Sequence, residues 1–539
     1  MAGLVAAFGS GAMTNSIPEL ENADCILITG SNTSEAHPLI SSRIMRAKSK
    51  GAKIIVVDPR TTQMSMLADM HIKQQPGTDV AWLNGMMNII ISEGMADDTF
   101  ISERTEGYAE LREAVAGYPP ELVEEITRVP ADDLIRAAKM YGQADRGSIV
   151  YAMGITQHIT GVDNVLSCAN LAMLTGNVGR PSTGVNPLRG QNNVQGACDL
   201  GGLPNVYPGY QQVTDQKVRK KFETAWNTPL SNQIGLTVTE MVELAGSGEI
   251  KAMYVMGENP LVADPDITHA HECMENLDFL VVQDIFLSET AEIADVILPG
   301  TTYAEKEGTF TATDRRVQFV QKAIEPQGDS KPDWEIICDL AKQMGAMGFD
   351  FTEPGDIMNE ITQLTPIYGG IRYDRLTNGN VMHWPCPTED HPGTPFLHKD
   401  KFSRGAGKFH AISYKEPAEK IDEEYPLILT TGRIMFHFHT GTMSRRSDKL
   451  HKEVPEAYVE LHPDDAQRIN VGRIPRVRVS SRRGEIELIA RVTDRIKPGV
   501  VFIPFHFAEA AANTLTNSAF DPVAKIPEYK VCAVKVEAA

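Results

Sequence analysis

The sequence predicts an α/β protein with two pseudo-symmetric dinucleotide-binding α/β domains and a C-terminal β-barrel-like domain. Three observations support this fold class: apolar strands alternate with helices in the first part of the chain, one strand–turn–aspartate pattern occurs twice, and short β-strands predominate after residue 394. A chain of 539 residues is also too long for a single core. We expect domains at residues 1–191, 192–394 and 395–539.

Composition and charge exclude several classes of function. The formal net charge is −20, whereas nucleic acid and anionic membranes favour a basic surface. No run approaches the roughly 18 apolar residues that a membrane helix needs. No Lys or Arg precedes Arg43, so the apolar start is not a signal peptide. We expect a cytoplasmic protein with no nucleic-acid partner and no membrane span.

The seven cysteines are scattered along the chain, and no C-x-x-C pair occurs. This spacing argues against a zinc site, an iron–sulfur site or a disulfide framework within these residues. We therefore expect the cysteines to be small buried apolar side chains in a reducing compartment.

The first domain reads as a β-α-β unit. An apolar strand, "CILITG", is followed by the polar turn "SNTSEAHP", a helix that runs to Lys50, and a second strand, "KIIVVDPR". This order predicts a parallel sheet. Helices "DVAWLNGMMNIIISEG" and "DDLIRAAKMYGQA", the strand "GSIVYAMG" and a helix over Val162–Leu174 follow.

The same order of strand, turn and helix recurs in the second domain. The strand "IKAMYVMGENP" ends in Gly-x-Asn, as "CILITGSN" does, and is followed by the helix "ITHAHECMENL" and the strand "FLVVQDIF". Asn32, Asp58 and Asp69 are spaced almost as Asn259, Asp284 and Asp295 are, and a Pro-Gly-Thr follows each set.

Ligands bind beyond the carboxyl ends of strands in open α/β sheets, so this repeat predicts two nucleotide-like ligands or one ligand with two similar arms. Ordinary turn chemistry is the alternative for either half alone. The absence of G-x-G-x-x-G after the first strand disfavours NAD or FAD of the usual kind.

Between the two halves lies "GVNPLRGQNNVQGACDLGGLPNVYPGY", which has no helix or strand period. A long aperiodic loop is usually functional. It carries Arg189 among amides and glycines, and Asp199 is its opposite charge. From the residues alone, Arg189 pairs with Asp199 or with a phosphate.

The last domain is mostly β, with strands such as "YPLILTTG" and "RVRVSSRRGEIELIARVT", and one short helix, "HPDDAQRINV". In "RIMFHFHTG", His437 and His439 share a strand face, but no third metal ligand is evident. Packing of His437 against a cofactor is therefore favoured over a metal role.

Several segments carry a family resemblance: "MLTGNVGRPSTGVNPLRGQNNVQGACDLG", "ADVILPG" with "EGTFT", "LTTGR", and "FHFAEAAAN" with "DPVAKIPEYK". They resemble the molybdopterin oxidoreductases, and most of all the catalytic subunits of molybdenum- or tungsten-dependent formate dehydrogenases. The resemblance covers essentially the whole chain. It implies that two molybdopterin guanine dinucleotides enclose one metal, Mo or W, and that each pseudo-symmetric domain holds one of them.

The resemblance also implies the cofactor contacts. Around the first dinucleotide these are Gly30, Asn32, Glu35, Asp58, Arg60 and Gly77, with Met153, Gly154 and Gln157 nearby. Around the second they are Gly257, Gln283, Asp284 and Asp333. The last domain adds Arg433, His437, Asn513 and Lys530, and Gln191 lies beside both pterins. Family members often have Asp where Glu35 stands.

In the family, the arginine at the position of Arg189 holds the carboxylate of formate. A guanidinium matches a carboxylate with a planar fork and stays charged at any working pH. The implied activity is oxidation of formate to carbon dioxide, or the reverse. Another member such as a nitrate reductase, which would need a different loop around Arg189, and a non-catalytic relative are the alternatives.

Formate dehydrogenases also carry a four-cysteine [4Fe-4S] segment and a selenocysteine or cysteine followed by histidine, upstream of the residues that match Met1–Leu4. None of these is among the 539 residues, so no metal ligand is assigned within the chain. We expect that these 539 residues come from a truncated gene model and are inactive alone. Besides formate and carbon dioxide, the expected partners are electron-transfer subunits with iron–sulfur or flavin groups.

Overall fold

The computed structural model describes residues 1–471 and 476–539. The described residues form two compact units. The first unit comprises Met1–Gly190, Pro265–Thr268 and Phe396–Ala539, and the second comprises Gln191–Asp264 and His269–Pro395. The two main breaks lie within one residue of the predicted boundaries, but the first α/β region and the C-terminal region share one unit. The division into three domains stays a prediction.

The first 190 residues form a parallel sheet between helices. The helices are α1 (Ala2–Phe8), α2 (Thr33–Ala36), α3 (Pro38–Ser49), α4 (Gln63–Leu67), α5 (Asp79–Ser92), α6 (Asp98–Arg104), α7 (Tyr108–Ala116), α8 (Pro120–Thr127), α9 (Ala131–Gly142), α10 (Met153–Thr156) and α11 (Gly161–Leu174). The strands are β1 (Cys25–Thr29), β2 (Lys53–Val57), β3 (Met70–Ile72), β4 (Thr105–Glu106), β5 (Gly147–Tyr151) and β6 (Gly184–Pro187).

The order of the main sheet is β3-β2-β1-β5-β6, and all its pairs are parallel. Successive side chains of a strand point to opposite faces, so each strand contributes to two cores. On β1, Cys25 and Leu27 pack in the core that contains α1, α5, α9 and α11, whereas Ile26 and Ile28 pack against α3. Burial on both faces explains why these strands are continuously apolar.

The second unit contains two further sheets. Its helices are α12 (Val194–Asp199), α13 (Gln216–Trp226), α14 (Val238–Gly246), α15 (Pro260–Ala263), α16 (Ile267–Glu275, which begins in the first unit), α17 (Glu289–Glu292), α18 (Asp333–Gln343), α19 (Pro354–Leu364) and α20 (Tyr373–Leu376). Its strands are β7 (Val206–Tyr207), β8 (Gln211–Gln212), β9 (Ala252–Met256), β10 (Phe279–Asp284), β11 (Val296–Pro299), β12 (Gly308–Thr311), β13 (Arg316–Val320) and β14 (Val381–His383). The β11-β10-β9 sheet is parallel, and the β12-β13-β14 sheet is antiparallel.

The predicted repeat recurs in the hydrogen bonds. The order β3-β2-β1 in the first unit matches β11-β10-β9 in the second. Asp69 donates its backbone N–H to the Ile54 carbonyl and accepts from the Ile54 N–H, each at 2.9 Å. Asp295 makes the same two bonds with Leu280, at 2.9 and 2.7 Å. The two aspartates therefore fasten equivalent strands at their amino ends.

The C-terminal region forms a closed barrel. Its strands after β15 (Gly407–Lys408) are β16 (Leu427–Gly432), β17 (Tyr458–Leu461), β18 (Arg476–Ser480), β19 (Glu485–Val492), β20 (Val500–Pro504) and β21 (Cys532–Ala538), and its helices are α21 (Asp448–Glu453) and α22 (Pro463–Ile469). The barrel order is β16-β20-β17-β19-β18-β21. On β18, arginines alternate with buried Val477 and Val479, the period of a strand with one core face. The predicted α/β class and C-terminal barrel are confirmed.

The segment 184–210 differs from the aperiodic loop that the sequence predicts. Residues 184–187 form β6, which pairs in parallel with β5, and residues 194–199 form α12. The sequence of β6 did not indicate a buried strand because it contains the polar residue Asn186. In the structure Asn186 is buried, and its side-chain amide donates to Ser148 Oγ at 2.8 Å. All seven cysteines are buried, as predicted. Among residues 1–471 and 476–539, no helix is both long and apolar enough to cross a membrane.

A buried ion pair fastens the barrel to the parallel sheet within the first unit. Nε and Nη2 of Arg60, just after β2, donate to the two carboxylate oxygens of Glu460 on β17 at 2.6 Å each. The two side chains are 7% and 5% exposed. The Arg60 guanidinium also lies over the Phe502 ring, 3.9 Å from its centroid.

We expect Arg60→Met to lower the free energy of unfolding by about 3–5 kcal/mol, because it leaves the Glu460 charge buried without its partner. Denaturant titration followed by fluorescence measures the change. Arg445→Met is the matched control: Arg445 also makes a bidentate pair, with Glu509 at 2.6 Å, and also lies over an aromatic ring, but Glu509 is half exposed. Its expected loss is about 1 kcal/mol or less. Equal losses in the two variants would contradict the importance of burial.

Candidate functional site

The residues predicted to contact the first dinucleotide gather at one edge of the parallel sheet. Because the strands run in parallel, their carboxyl ends share that edge. The residues that follow β1, β2, β5 and β6 there are, in chain order, Gly30, Asn32, Glu35, Asp58, Arg60, Met153, Gly154, Gln157 and Arg189. We call this edge, with Gly77, the first half-site.

Glycine is required where the ends of β1 and β5 cross. Gly30 has φ +56°, and a Cβ there would lie 2.6 Å from the carbonyl carbon of Gly154. A Cβ on Gly154 would lie 2.5 Å from the Cα of Gly30. The Gly154 N–H donates to the Gly30 carbonyl at 3.0 Å. Only two glycines allow this approach, which keeps the strand ends free of side chains.

Two cations come to this edge from the C-terminal region: Lys530, which is buried, and Arg433, which is partly buried. Burial lowers the pKa of the Lys530 ammonium to about 7, although nearby Asp58 favours its charged form. Burial also lowers the pKa of the Arg433 guanidinium to about 10. Lys530 Nζ donates to the Thr431 carbonyl at 2.7 Å, and Arg433 Nη1 donates to the Gly190 carbonyl at 3.3 Å. Within the described chain, neither cation makes an ion pair.

Asp58 is held between strand ends and lies near Lys530. Its carboxylate accepts from the Arg60 N–H at 2.9 Å, and its carbonyl accepts from His71 Nε2 at 3.0 Å. Burial raises the pKa of the Asp58 carboxyl to about 6, while the Arg60 N–H and Lys530 oppose that rise. Asp58 is therefore a fixed acceptor next to a positive region.

Arg60 makes two contacts near this edge: its guanidinium pairs with Glu460, and its backbone N–H donates to Asp58. Its predicted contact with the dinucleotide stays a prediction. Gly77 has φ +83°, and a Cβ there would lie 2.6 Å from Pro417. The side chain of Met153 is 42% exposed at the start of α10.

His437 and Asn513, the other two residues predicted from the last domain, lie in the C-terminal region. His437 is buried, and its Nε2 donates to the Val454 carbonyl at 2.8 Å. Its ring contacts those of His506 and Phe507, with centroids 5.8 and 5.4 Å away. Asn513 is buried in a short 3-10 helix, Ala512–Thr514. Their cofactor roles stay predictions.

The residues predicted for the second dinucleotide gather at the carboxyl edge of the β11-β10-β9 sheet, which we call the second half-site. Gly257 follows β9 with φ +63°, and a Cβ there would meet nothing within 4 Å. Its N–H donates to the Gln283 carbonyl at 2.8 Å. The Gln283 amide donates to Asp333 Oδ1 at 2.7 Å, and Lys306 pairs with the same carboxylate. Asp284 ends β10 beside them.

The start of the second unit is anchored by a buried carboxylate. Asp199 accepts hydrogen bonds from the side chains of Gln195, Tyr210, Tyr368 and Trp384, at 2.7, 2.6, 2.6 and 2.6 Å. Burial raises the pKa of Asp199, and these donors oppose the rise. Four donors fix α12, which follows the exposed Gln191 by three residues.

The first half-site fits an anionic dinucleotide. Both polar atoms of the Asn32 side chain are buried and have no hydrogen-bond partner in the described chain. Buried Lys530 lies near Asp58, and partly buried Arg433 contacts the Gly190 carbonyl. Backbone donors at strand ends and buried positive charge are what a pyrophosphate group needs.

Sequence reasoning missed two residues that shape this site. Glu460 lies 400 positions from Arg60, and nothing in the local sequence joins the two. His37 contacts the carbonyl of Arg189 across 152 positions. Its only sequence signal is its place in the turn "SNTSEAHP" between β1 and α3.

Comparison with known proteins shows the family. Residues 5–343 match the family model "Molybdopterin oxidoreductase", and residues 427–533 match "Molydopterin dinucleotide binding domain". The chain is 53% identical over 538 residues to the F420-dependent formate dehydrogenase 1 subunit alpha of Methanococcus maripaludis, covering 99% of this chain and 79% of the relative. Over 538 residues and the same shares, it is 55% identical to the corresponding subunit alpha of Methanocaldococcus jannaschii.

More distant proteins match as well. Formate dehydrogenase H of Escherichia coli is 41% identical over 544 residues, covering 100% of this chain and 76% of that protein. The solved structure of acetylene hydratase from Pelobacter acetylenicus superposes with a TM-score of 0.80 over 100% of this chain and 80% of that one, and its 21% identity shows a shared fold alone. A family model spanning more than half of the residues and relatives at this identity show that the chain belongs to the molybdopterin oxidoreductase family.

Proposed function

We propose that this chain is the catalytic subunit of a formate dehydrogenase, which oxidises formate to carbon dioxide or catalyses the reverse reaction. The observation that carries the proposal is the position of Arg189 at the carboxyl end of β6, beside the first half-site. The relatives named formate dehydrogenase subunit alpha, at 53% and 55% identity over nearly the whole chain, support it.

The cofactor in this proposal is a molybdenum or tungsten bis(molybdopterin guanine dinucleotide). One dinucleotide is held at the first half-site by Asn32, Asp58, Lys530 and Arg433, and the other at the second half-site by Gly257, Gln283, Asp284 and Asp333. When bound, the metal centre supplies the two-electron redox chemistry. The protein supplies binding, orientation and charge.

The substrate role falls to Arg189. Conversion of formate to carbon dioxide releases two electrons and one proton, and it breaks the only C–H bond of the substrate. Formate offers only its carboxylate for orientation, and a guanidinium fork fixes both oxygens in one plane. Arg189 therefore holds the carboxylate end while the C–H bond is left for reaction.

The proposal includes groups outside these residues. These groups are a selenocysteine or cysteine ligand to the metal and a [4Fe-4S] cluster, and electrons pass to a subunit with iron–sulfur or flavin groups in the cytoplasm. The word "alpha" in the relatives' names supports the existence of further subunits.

We expect Asp58→Ala and Asp284→Ala each to lower the pterin and metal retained by the assembled enzyme, because each removes an acceptor from one half-site. Pterin fluorescence after extraction and metal analysis measure the loss. Asp145→Ala is the control, since its side chain is 80% exposed and lies on the far side of β5 from the half-site. Normal pterin and metal in both variants would refute two dinucleotide sites.

The variant Lys530→Met tests the effect of Lys530 on protein stability separately from its effect on cofactor binding. Below pH 7 the Lys530 ammonium is charged in both the folded and the unfolded chain, so burying it lowers the free energy of unfolding by the full amount. This destabilisation shrinks as pH rises from the folded pKa of about 7 toward the ordinary pKa of 10.5. We expect the variant to raise the free energy of unfolding of cofactor-free protein by about 2–4 kcal/mol at pH 6, and by progressively less toward pH 10.

The same variant should retain less pterin, because it removes a cation from the first half-site. Denaturant titration across pH measures the first effect and pterin analysis measures the second. Lys535→Met is the control: Lys535 lies on β21, which begins two residues after Lys530, and its side chain is half exposed. A gain in stability that does not depend on pH would contradict the buried ammonium as its cause.

For Arg189 we expect formate turnover to fall in the order wild type, Arg189→Lys, Arg189→Ala, with metal content preserved. Lysine keeps the charge but loses the fork, and alanine loses both. The loss in kcat/KM for alanine should correspond to about 1.5–3 kcal/mol or more. Steady-state kinetics with formate and a viologen dye measure it, with the exposed change Arg136→Ala as control. A wild-type value of kcat/KM in Arg189→Ala would contradict the proposed role of Arg189 in binding formate.

A further inference from the structure

His37 makes a contact with the backbone of Arg189 that the proposed function does not use. His37 precedes α3, and its own backbone is fixed by two hydrogen bonds: its N–H donates to Thr33 and its carbonyl accepts from Ser41, each at 3.0 Å. Its ring nitrogen Nε2 lies 2.8 Å from the Arg189 carbonyl oxygen. A carbonyl only accepts, so Nε2 carries the proton.

The peptide between Arg189 and Gly190 needs such a restraint. The residue before it, Leu188, is fixed, because it is buried against α3 and its N–H donates to the Tyr151 carbonyl at 2.7 Å. Gly190, the residue after it, has the broadest backbone freedom. A Cβ at Gly190 would lie 2.7 Å from Arg433 Nη2, so a larger residue there would displace the Arg433 guanidinium. Leu188 is therefore a fixed point of the chain, and the hydrogen bond at the Arg189 carbonyl restrains the peptide plane that follows Arg189.

Side chains bond to two successive peptide groups here. His37 donates to the Arg189 carbonyl, which belongs to the Arg189–Gly190 peptide, and Arg433 donates to the Gly190 carbonyl of the next peptide at 3.3 Å. The histidine bond is the shorter of the two. The His37 ring is neutral at working pH, because burial and the nearby Arg433 charge lower its pKa. Its Nδ1 is buried and has no hydrogen-bond partner in the described residues, so only the Nε2 bond orients the ring.

We propose that His37 is a positioning residue for Arg189: by donating Nε2–H to the Arg189 carbonyl, it fixes the peptide plane from which the guanidinium reaches the substrate carboxylate. The inference rests on the proposed function for the identity of the substrate. The restraint itself rests on the contact alone and is measurable without turnover.

The test compares three replacements of His37 in the assembled enzyme. In His37→Gln, the amide nitrogen occupies nearly the position of Nε2 and can still donate. In His37→Asn, the amide is too short to reach the carbonyl, and in His37→Phe the ring volume is kept without a donor. His271→Phe, on the half-exposed face of α16, is the control for loss of a histidine.

Two readouts are expected to separate the variants. Hydrogen exchange of the peptide covering residues 186–191 should be faster in the Phe and Asn variants and close to wild type in the Gln variant. The value of kcat/KM for formate should fall about tenfold in the Phe and Asn variants, mainly through KM, and stay within about threefold in the Gln variant. Pterin and metal content should be unchanged in all of them.

A double-mutant cycle shows whether His37 acts through Arg189. If it does, His37→Phe adds no further loss of kcat/KM in the Arg189→Ala background. Additive losses would overturn the proposal, as would wild-type exchange in His37→Phe or a Gln variant as impaired as the Phe variant. An unmodified holoenzyme without formate turnover would refute the proposed function instead, and the exchange comparison would still decide the restraint.

Discussion

The crossing of two backbones at Gly30 and Gly154 sets the geometry on which the first half-site depends. A Cβ on either residue would lie 2.6 Å or less from the backbone of the other, so the ends of β1 and β5 meet without intervening side chains. This contact leaves the edge of the sheet to backbone donors and to short polar groups such as Asn32 and Asp58. The proposed dinucleotide then meets a surface that is shaped mainly by main chain.

Charge at this edge opposes the charge of the whole protein. The chain carries a net charge of −20, yet buried Lys530 lies near Asp58, partly buried Arg433 lies near Lys530, and burial lowers the pKa of both cations. Burying these cations costs folding energy that no ion pair in the described chain returns. An anionic ligand that binds there would recover that energy, so in our proposal cofactor binding and stability of the first unit are coupled.

The sequence predicted the α/β class, the barrel and most strands, because runs such as "CILITG" and "KIIVVDPR" are apolar on both faces of a buried sheet. The repeat was visible in the spacing of Asn32, Asp58 and Asp69. β6 escaped prediction because its buried Asn186 is satisfied by a side chain from β5 rather than by its own neighbours. The Arg60–Glu460 pair and the His37–Arg189 contact join distant parts of the chain, and no local pattern encodes such contacts.

The paired aspartates Asp69 and Asp295 fasten equivalent strands at their amino ends, whereas the half-site residues lie at the carboxyl ends. Strand register and ligand chemistry therefore depend on opposite ends of each sheet. Residues at the carboxyl edge of either sheet can therefore be replaced while the aspartate at the amino end keeps the register of its strands. This separation explains how the two similar sheets can carry different site residues without either losing its fold. The first sheet has Asn32 and Asp58 after its strands. In the second, Asp333 and Lys306 lie beside Gln283.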